Sequence, residues 1–278
     1  MSLTVFLAVI GAALLHASWN ALVKLGGSKM TGMLILSMVQ GLIGAVLVFA
    51  YPMPEGQIWL WLVGSAFLHS AYKFLLAFAY AQGDLSRVYP IARGAAPMIV
   101  LGFGAVFLAD HIRGIEVVGI LTLGIGVSLM ARGVFTSGET RRLLPFAIGS
   151  AIATASYSIV DGLGARLASD AGQFVAWVFL FDGVIFASVA ALGYGKPVFR
   201  ADRRMWALGS VAALASYGAY AIAVWAMTLA PIALVTALRE TSILFAVLIG
   251  WLIFGERMDR PKVIAACLIV GGVILTRL

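Results

Sequence analysis

Long apolar runs alternate with short polar breaks along the whole chain. Ten runs have the length of a membrane crossing, at about 3–23, 31–51, 58–81, 88–109, 115–131, 144–163, 172–192, 205–229, 234–254 and 261–276. A spanning helix needs roughly 20 mostly apolar residues. The breaks carry Gly, Pro or clustered charge, as at Gly26-Gly27-Ser28, Pro52-Met53-Pro54-Glu55 and Ala230-Pro231. Helix is the expectation for every run, because backbone groups in lipid must be satisfied within their own segment.

The fourth run holds Arg93 in apolar surroundings, with Pro97 four residues on. A proline at that spacing removes one helix hydrogen bond and crowds the carbonyl of residue i−4, so a kink is expected at Arg93. The arrangement returns further on, at an offset of about 146 residues. Arg93 then meets Arg239, Gly104 meets Gly250, Asp110 meets Glu256 and Gly126 meets Gly272. Ala17-Ser18-Trp19 likewise resembles Ala155-Ser156-Tyr157. The expectation is an all-α integral membrane protein of ten transmembrane helices in two five-helix repeats, 1–138 and 139–278. Five is odd, so the second repeat would run inverted. Inverted repeats are a transporter device, with the site near mid-membrane where the repeats meet.

Composition strengthens the membrane reading. Hydrophobic residues make up 62% and charged residues 11%, and mean hydropathy is +1.04. An average soluble chain carries about 25% charged residues, so a soluble fold is excluded. The net charge of +7 is no nucleic-acid signal, because the basic residues sit in the breaks. Thirteen of them follow odd-numbered runs, and three (Arg113, Arg166, Arg277) lie on the other side. The positive-inside rule then puts both termini outside a cell inner membrane. Cys267 is the single cysteine, so no disulfide forms within the chain. The run at the N-terminus lacks a basic stretch and a cleavage site, and reads as a first span rather than a signal.

Ten helices in two repeats, Ala17, Ser18, Trp19, Asn20 and Lys24 on the first helix, and acidic residues ending the fourth and ninth (Asp110, Glu256) resemble the EamA family. That family lies within the drug/metabolite transporter superfamily. The closing Gly271-Gly272-Val273-Ile274-Leu275 is similar to its last helix. The resemblance implies a small-metabolite permease, often an exporter of amino acids or related compounds, with a cavity between the halves. It also implies termini inside, against the charge count. Arg93, Arg239 and Lys73 depart from the family pattern by charging the interior.

Charged groups within the spans are the candidates for chemistry. Each costs about 2.5–3.5 kcal/mol at mid-helix, so Lys73, Arg93, Asp182, Arg239 and Glu240 must pair or face water. Arg239 and Glu240 are adjacent, about 100° apart on a helix, and need separate partners. Asp182 is the expected acid for Arg93 or Arg239, as a cavity group or as a structural bridge. Three cations against two anions leave positive charge for a carboxylate, phosphate or phosphonate, which Arg forks and Lys meets as a point charge. Arg93, Arg239 and Lys73 would hold that anion. Glu240 or Asp182 would meet an amine or carry a coupling proton.

His69 and Lys73, and His16 and Asn20, are four apart and share helix faces. Tyr72, Tyr89, Tyr157, Tyr217 and Tyr220 fall at comparable depth, and Trp19 either walls a cavity or packs. Lys24 and Asp161 lie near run ends and are expected to snorkel. Trp59, Trp61 and Trp206 read as interfacial anchors. The substrate set is therefore Lys73, Arg93, Arg239, Glu240, Asp182, His16, Asn20, Trp19, His69, Tyr72, Tyr89, Tyr157 and Tyr217. No cofactor, metal or nucleic-acid partner is expected. One chain supplies both halves, so a monomer suffices and a dimer stays open. A transporter of a small polar metabolite is favoured over a non-transporting partner subunit. An enzyme ranks last, since no H-E-x-x-H or G-x-S-x-G occurs.

Overall fold

The computed structural model describes residues 1–26, 28–82, 88, 92–93, 95–131, 142–255, 258 and 260–278. The regular structure among them is helical. We number the α-helices α1 (Leu3–Leu25), α2 (Lys29–Leu47), α3 (Ile58–Gln82), α4 (Ala96–Phe107), α5 (Gly114–Ala131), α6 (Leu143–Leu167), α7 (Ala171–Tyr194), α8 (Arg203–Leu229), α9 (Ile232–Arg239), α10 (Ser242–Phe254) and α11 (Arg260–Leu275). Short polar side chains start several of them. Ser28 accepts from the Thr31 amide at 3.3 Å, Asp170 from Gly172 at 2.6 Å and Asp202 from Met205 at 2.7 Å. Each satisfies an amide that the first helical turn leaves open.

Among the described residues seven spans are long and apolar enough to cross a membrane: α1, Lys29–Ala50, α3, α6, α7, α8 and Ile232–Ile253 across α9 and α10. The expectation of ten full-length crossings is met only in part, since α4 has 12 residues and α11 has 16. Outward faces carry Phe49, Leu60, Val106, Leu192 and Leu252 in the open, as lipid contact requires.

The expected kink at Arg93 takes another form. Ala92 and Arg93 are helical, Ala95 is a turn, and α4 begins at Ala96. Pro97 lies in the first turn of α4, where a missing N–H costs nothing. The proline starts a helix there rather than bending one. The ninth span is broken at the matching place. Glu240 N and Thr241 N bond back to Ala237 O and Leu238 O, three residues away, and α10 restarts at Ser242.

Four interhelical interfaces dominate: α1 with α8, α3 with α6, α2 with α7, and α5 with α11. Two of these cross backbone against backbone. A Cβ on Gly183 would stand 2.8 Å from Gly41 Cα, and one on Gly272 would stand 2.7 Å from Gly119 O. Small residues permit such close approach where no hydrophobic effect drives helices together. Gly183→Ala should therefore lower stability by about 1–3 kcal/mol, as overpacking does, which thermal unfolding in detergent would register.

One end of the bundle gathers both termini. Arg277 donates to the Met1 carbonyl at 3.2 Å, and Arg113 to that of Leu278 at 3.2 Å. Asp110, beyond α4, accepts from Arg166 at 2.8 and 3.2 Å and from the Ile232 amide at 2.9 Å. The acid thus caps the start of α9 while tying it to the end of α6. Glu256, its counterpart in the repeat, lies outside the described residues.

Candidate functional site

Polar side chains from along α1, α2, α3, α6 and α8 and from the C-terminal end of α9 converge on a cavity of about 30 Å³. That is room for about two waters. His16 and Trp19 enter from α1, Gln40 from α2, His69, Tyr72 and Lys73 from α3, and Tyr157 from α6. Phe179, Ser216, Tyr220 and Arg239 complete the wall.

The buried charges sort into pairs that the sequence did not foresee. Lys73, 4% exposed, donates to Asp182, to Ser37 at 3.0 Å and to Gln40 Oε1 at 2.9 Å. Asp182 accepts in addition from Ser70 at 2.9 Å. It is therefore the partner of Lys73, and not of Arg93 or Arg239 as expected. Arg93 forks Glu240 instead, at 3.0 and 3.4 Å. That bond joins the residues flanking the two helix breaks, so each break holds the other in place.

Arg239 is different. It is 6% exposed and lines the cavity, yet it makes no hydrogen bond or ion pair among the described residues. Gln40 adds a second open donor. Its Oε1 is taken by Lys73, which fixes the amide's orientation, and its Nε2 has no partner among the described residues. Arg239 and Gln40 both line the cavity, and a guanidinium and an amide N–H are donors of the kind that match an oxygen-rich anion.

Asp161 corrects another expectation. It is 1% exposed, not a snorkelling residue at a helix end. It accepts from Ser65 and Tyr220, and stands 3.0 Å from His69 Nε2. Apart from Glu116, which is buried beside Arg113 at the start of α5, the buried charges among the described residues are thus three cations against three acids, and the expected surplus of positive charge disappears in the sum. It persists locally, because Arg239 faces the cavity and Asp161 lies behind the wall.

The remaining candidates divide. Asn20 is buried away from the cavity, donating to the His16 carbonyl at 2.9 Å and accepting from Tyr80 at 3.1 Å. Tyr217 is half-buried beside Phe179, with ring centres 5.1 Å apart, and does not line the void. Arg93, Glu240 and Asp182 also stand outside the lining. Tyr89 falls outside the described residues. Trp59, expected as an interfacial anchor, packs edge-on against Trp177 at 5.0 Å. Gln40, Ser216, Leu36 and Phe179 line the cavity and were missed. A polar residue inside an apolar run was the available signal for the first two; the last two gave none. Among the described residues no cluster could hold a metal ion.

The model of the EamA-like transporter family matches residues 142–278. Over those residues the chain belongs to the EamA family. This EamA chain is a membrane transporter by family, and the match covers the half that supplies Asp161, Asp182, Tyr220 and Arg239. A solved crystal structure covers 99% of the EamA chain and 98% of its own length, with a TM-score of 0.76 at 17% identity. At that identity the likeness speaks for the fold alone. No curated protein matches the chain in sequence.

Proposed function

We propose that this protein is a secondary transporter, an exporter or exchanger, for a small polar metabolite that carries a carboxylate or comparable anionic group. It works by alternating access in a cell inner membrane. The observation that carries the reading is Arg239, a buried guanidinium lining the cavity without a partner among the described residues. Burying a charge is costly unless a partner arrives, and here cargo is that partner. Lys73 and Arg93, with acids of their own, hold the frame rather than the anion.

Two inverted repeats, 1–138 and 139–278, underlie the mechanism. Exchanging the halves turns the α1–α8 interface into α6–α3, and returns α2–α7 and α5–α11 to themselves. Such a contact pattern favours a two-fold axis in the membrane plane, with the cavity where the repeats meet. The cavity holds about two waters, so the repeats must part to admit cargo. The bias of basic residues favours both termini outside.

Counterflow into proteoliposomes tests the reading. Vesicles loaded with a mixture of amino acids, organic acids and phosphorylated compounds should exchange at least one labelled anionic member saturably. Exchange confined to neutral or cationic members would refute the anion, and no exchange of any member would refute transport.

A further inference from the structure

On the sequence, Glu240 or Asp182 is the group that would meet an amine on the cargo. The structure occupies both elsewhere. Asp182 is held by Lys73 and Ser70, and Glu240 by Arg93 at 3.0 and 3.4 Å. Glu240 adjoins Arg239 and feels its charge, yet neither it nor Asp182 lines the cavity. Asp161 accepts from Ser65 and Tyr220 behind the wall. Among the described residues no carboxylate belongs to the lining.

The donors of the wall differ in what they have left. Lys73 Nζ carries three N–H groups. It spends them on Ser37 at 3.0 Å, Gln40 Oε1 at 2.9 Å and Asp182, and has none for cargo. The same contact decides which way Gln40 faces. An ammonium only donates, so it takes the carbonyl oxygen of the amide and leaves the NH2 group to the other position. Gln40 is fully buried and lines the cavity, and its Nε2 has no partner among the described residues. Lys73 is thus a positioning residue, which holds a neutral donor rather than an acceptor at the void.

A buried N–H is costly to leave without an acceptor. Cargo that brings an oxygen to it removes that cost, whereas an ammonium there would set donor against donor. The hydroxyl oxygens of Tyr157 and Ser216 in the lining accept but bring no charge, and Lys73 and Arg239 make the wall cationic. Aromatic faces can receive an ammonium in place of an acid. Here one face of Tyr157 is covered by His69, ring centres 4.1 Å apart, and Phe179 already has Lys73 Nζ at 5.5 Å.

We propose that the cargo is a carboxylate with an oxygen, not an amine, on the neighbouring carbon: a 2-oxo or 2-hydroxy acid rather than a 2-amino acid. Arg239 takes the carboxylate, and Gln40 Nε2 donates to the second oxygen. Both residues line one cavity of about 30 Å³, small enough for adjacent groups of a single molecule to face both. Gln40 then sets specificity. A site that donates to a substrate oxygen rejects the analogue lacking an acceptor there far more strongly than an apolar pocket does. This class rests on the reading of the cavity as a cargo site and narrows it.

Counterflow with matched acids tests the class. Proteoliposomes of the full chain are given pyruvate, lactate or alanine, and 2-oxoglutarate, 2-hydroxyglutarate or glutamate, each set alike but for the group on the second carbon. We expect the oxo or hydroxy member of at least one set to exchange roughly tenfold or more faster than its amino member. An amino member that exchanges as fast as its partners overturns the class. Exchange of a phosphorylated anion with none of these acids also overturns it, and leaves the anionic reading standing. No exchange of any compound removes the transport reading and the class with it. Gln40→Glu keeps an oxygen for Lys73 but puts an acceptor where the donor faced the void. It should shrink the ratio of oxo to amino exchange by roughly tenfold or more, whatever the absolute rates, and an unchanged ratio overturns the role of Gln40. If that variant fails to fold, Gln40→Met, which removes the donor, decides the residue by the same ratio, and the wild-type ratio alone decides the class.

Discussion

Asp182→Ala should lower stability by about 3–5 kcal/mol, the range for removing one member of a buried ion pair. Lys73 would keep its contacts with Ser37 and Gln40 but lose the acid that balances it. The Ser70 hydroxyl would lose its partner as well. The double change Lys73→Met with Asp182→Ala should recover most of the loss, because it removes the stranded charge and keeps apolar volume against Phe179. Thermal unfolding in detergent compares the three. A double variant as unstable as the single would mean that the pair does not balance itself.

Arg239→Gln should do the opposite. No acid among the described residues depends on Arg239 for an ion pair, so stability should hold or rise slightly. Counterflow of an anionic cargo should nevertheless fall about thirtyfold or more, given about 2–5 kcal/mol for truncating one side of a buried charged contact. Arg239→Lys should retain part of the activity, since a point charge remains but the fork is gone. A stable Arg239→Gln protein with undiminished exchange would exclude this guanidinium as the anchor. The two variants together separate the charges that build the protein from the charge that meets cargo.

The helices were legible because composition leaves no other solution in lipid, and the charges were legible because each is costly there. Their pairing was not. Which acid meets Lys73 depends on how α3 and α7 are rotated about their axes, and a sequence fixes spacing along a helix rather than its facing. Asp161 shows a second limit. The apolar run seemed to end at 163, two residues beyond it, but α6 continues to Leu167. It can do so because Arg166 reaches out to Asp110 and to the carbonyls of Met227 and Ala230. Those four further residues of helix, 164 to 167, turn an edge acid into an interior one. The break beside Arg239 was hidden for a different reason. No proline or glycine marks it, and the fork from Arg93 to Glu240 that accompanies it crosses from the other half of the chain.

The glycine crossings carry one more consequence. Helices that interlock through side chains must lift over one another to move, and each lift strips van der Waals contact from a packed layer. At Gly41–Gly183 the touching surfaces are main chain, without knobs to climb, whereas at Gly119–Gly272 the side chains of Thr276 and Leu123 stand beside the main-chain contact. The α2–α7 seam is therefore the smoother track of the two, and both join a helix of the first 131 residues to one that follows.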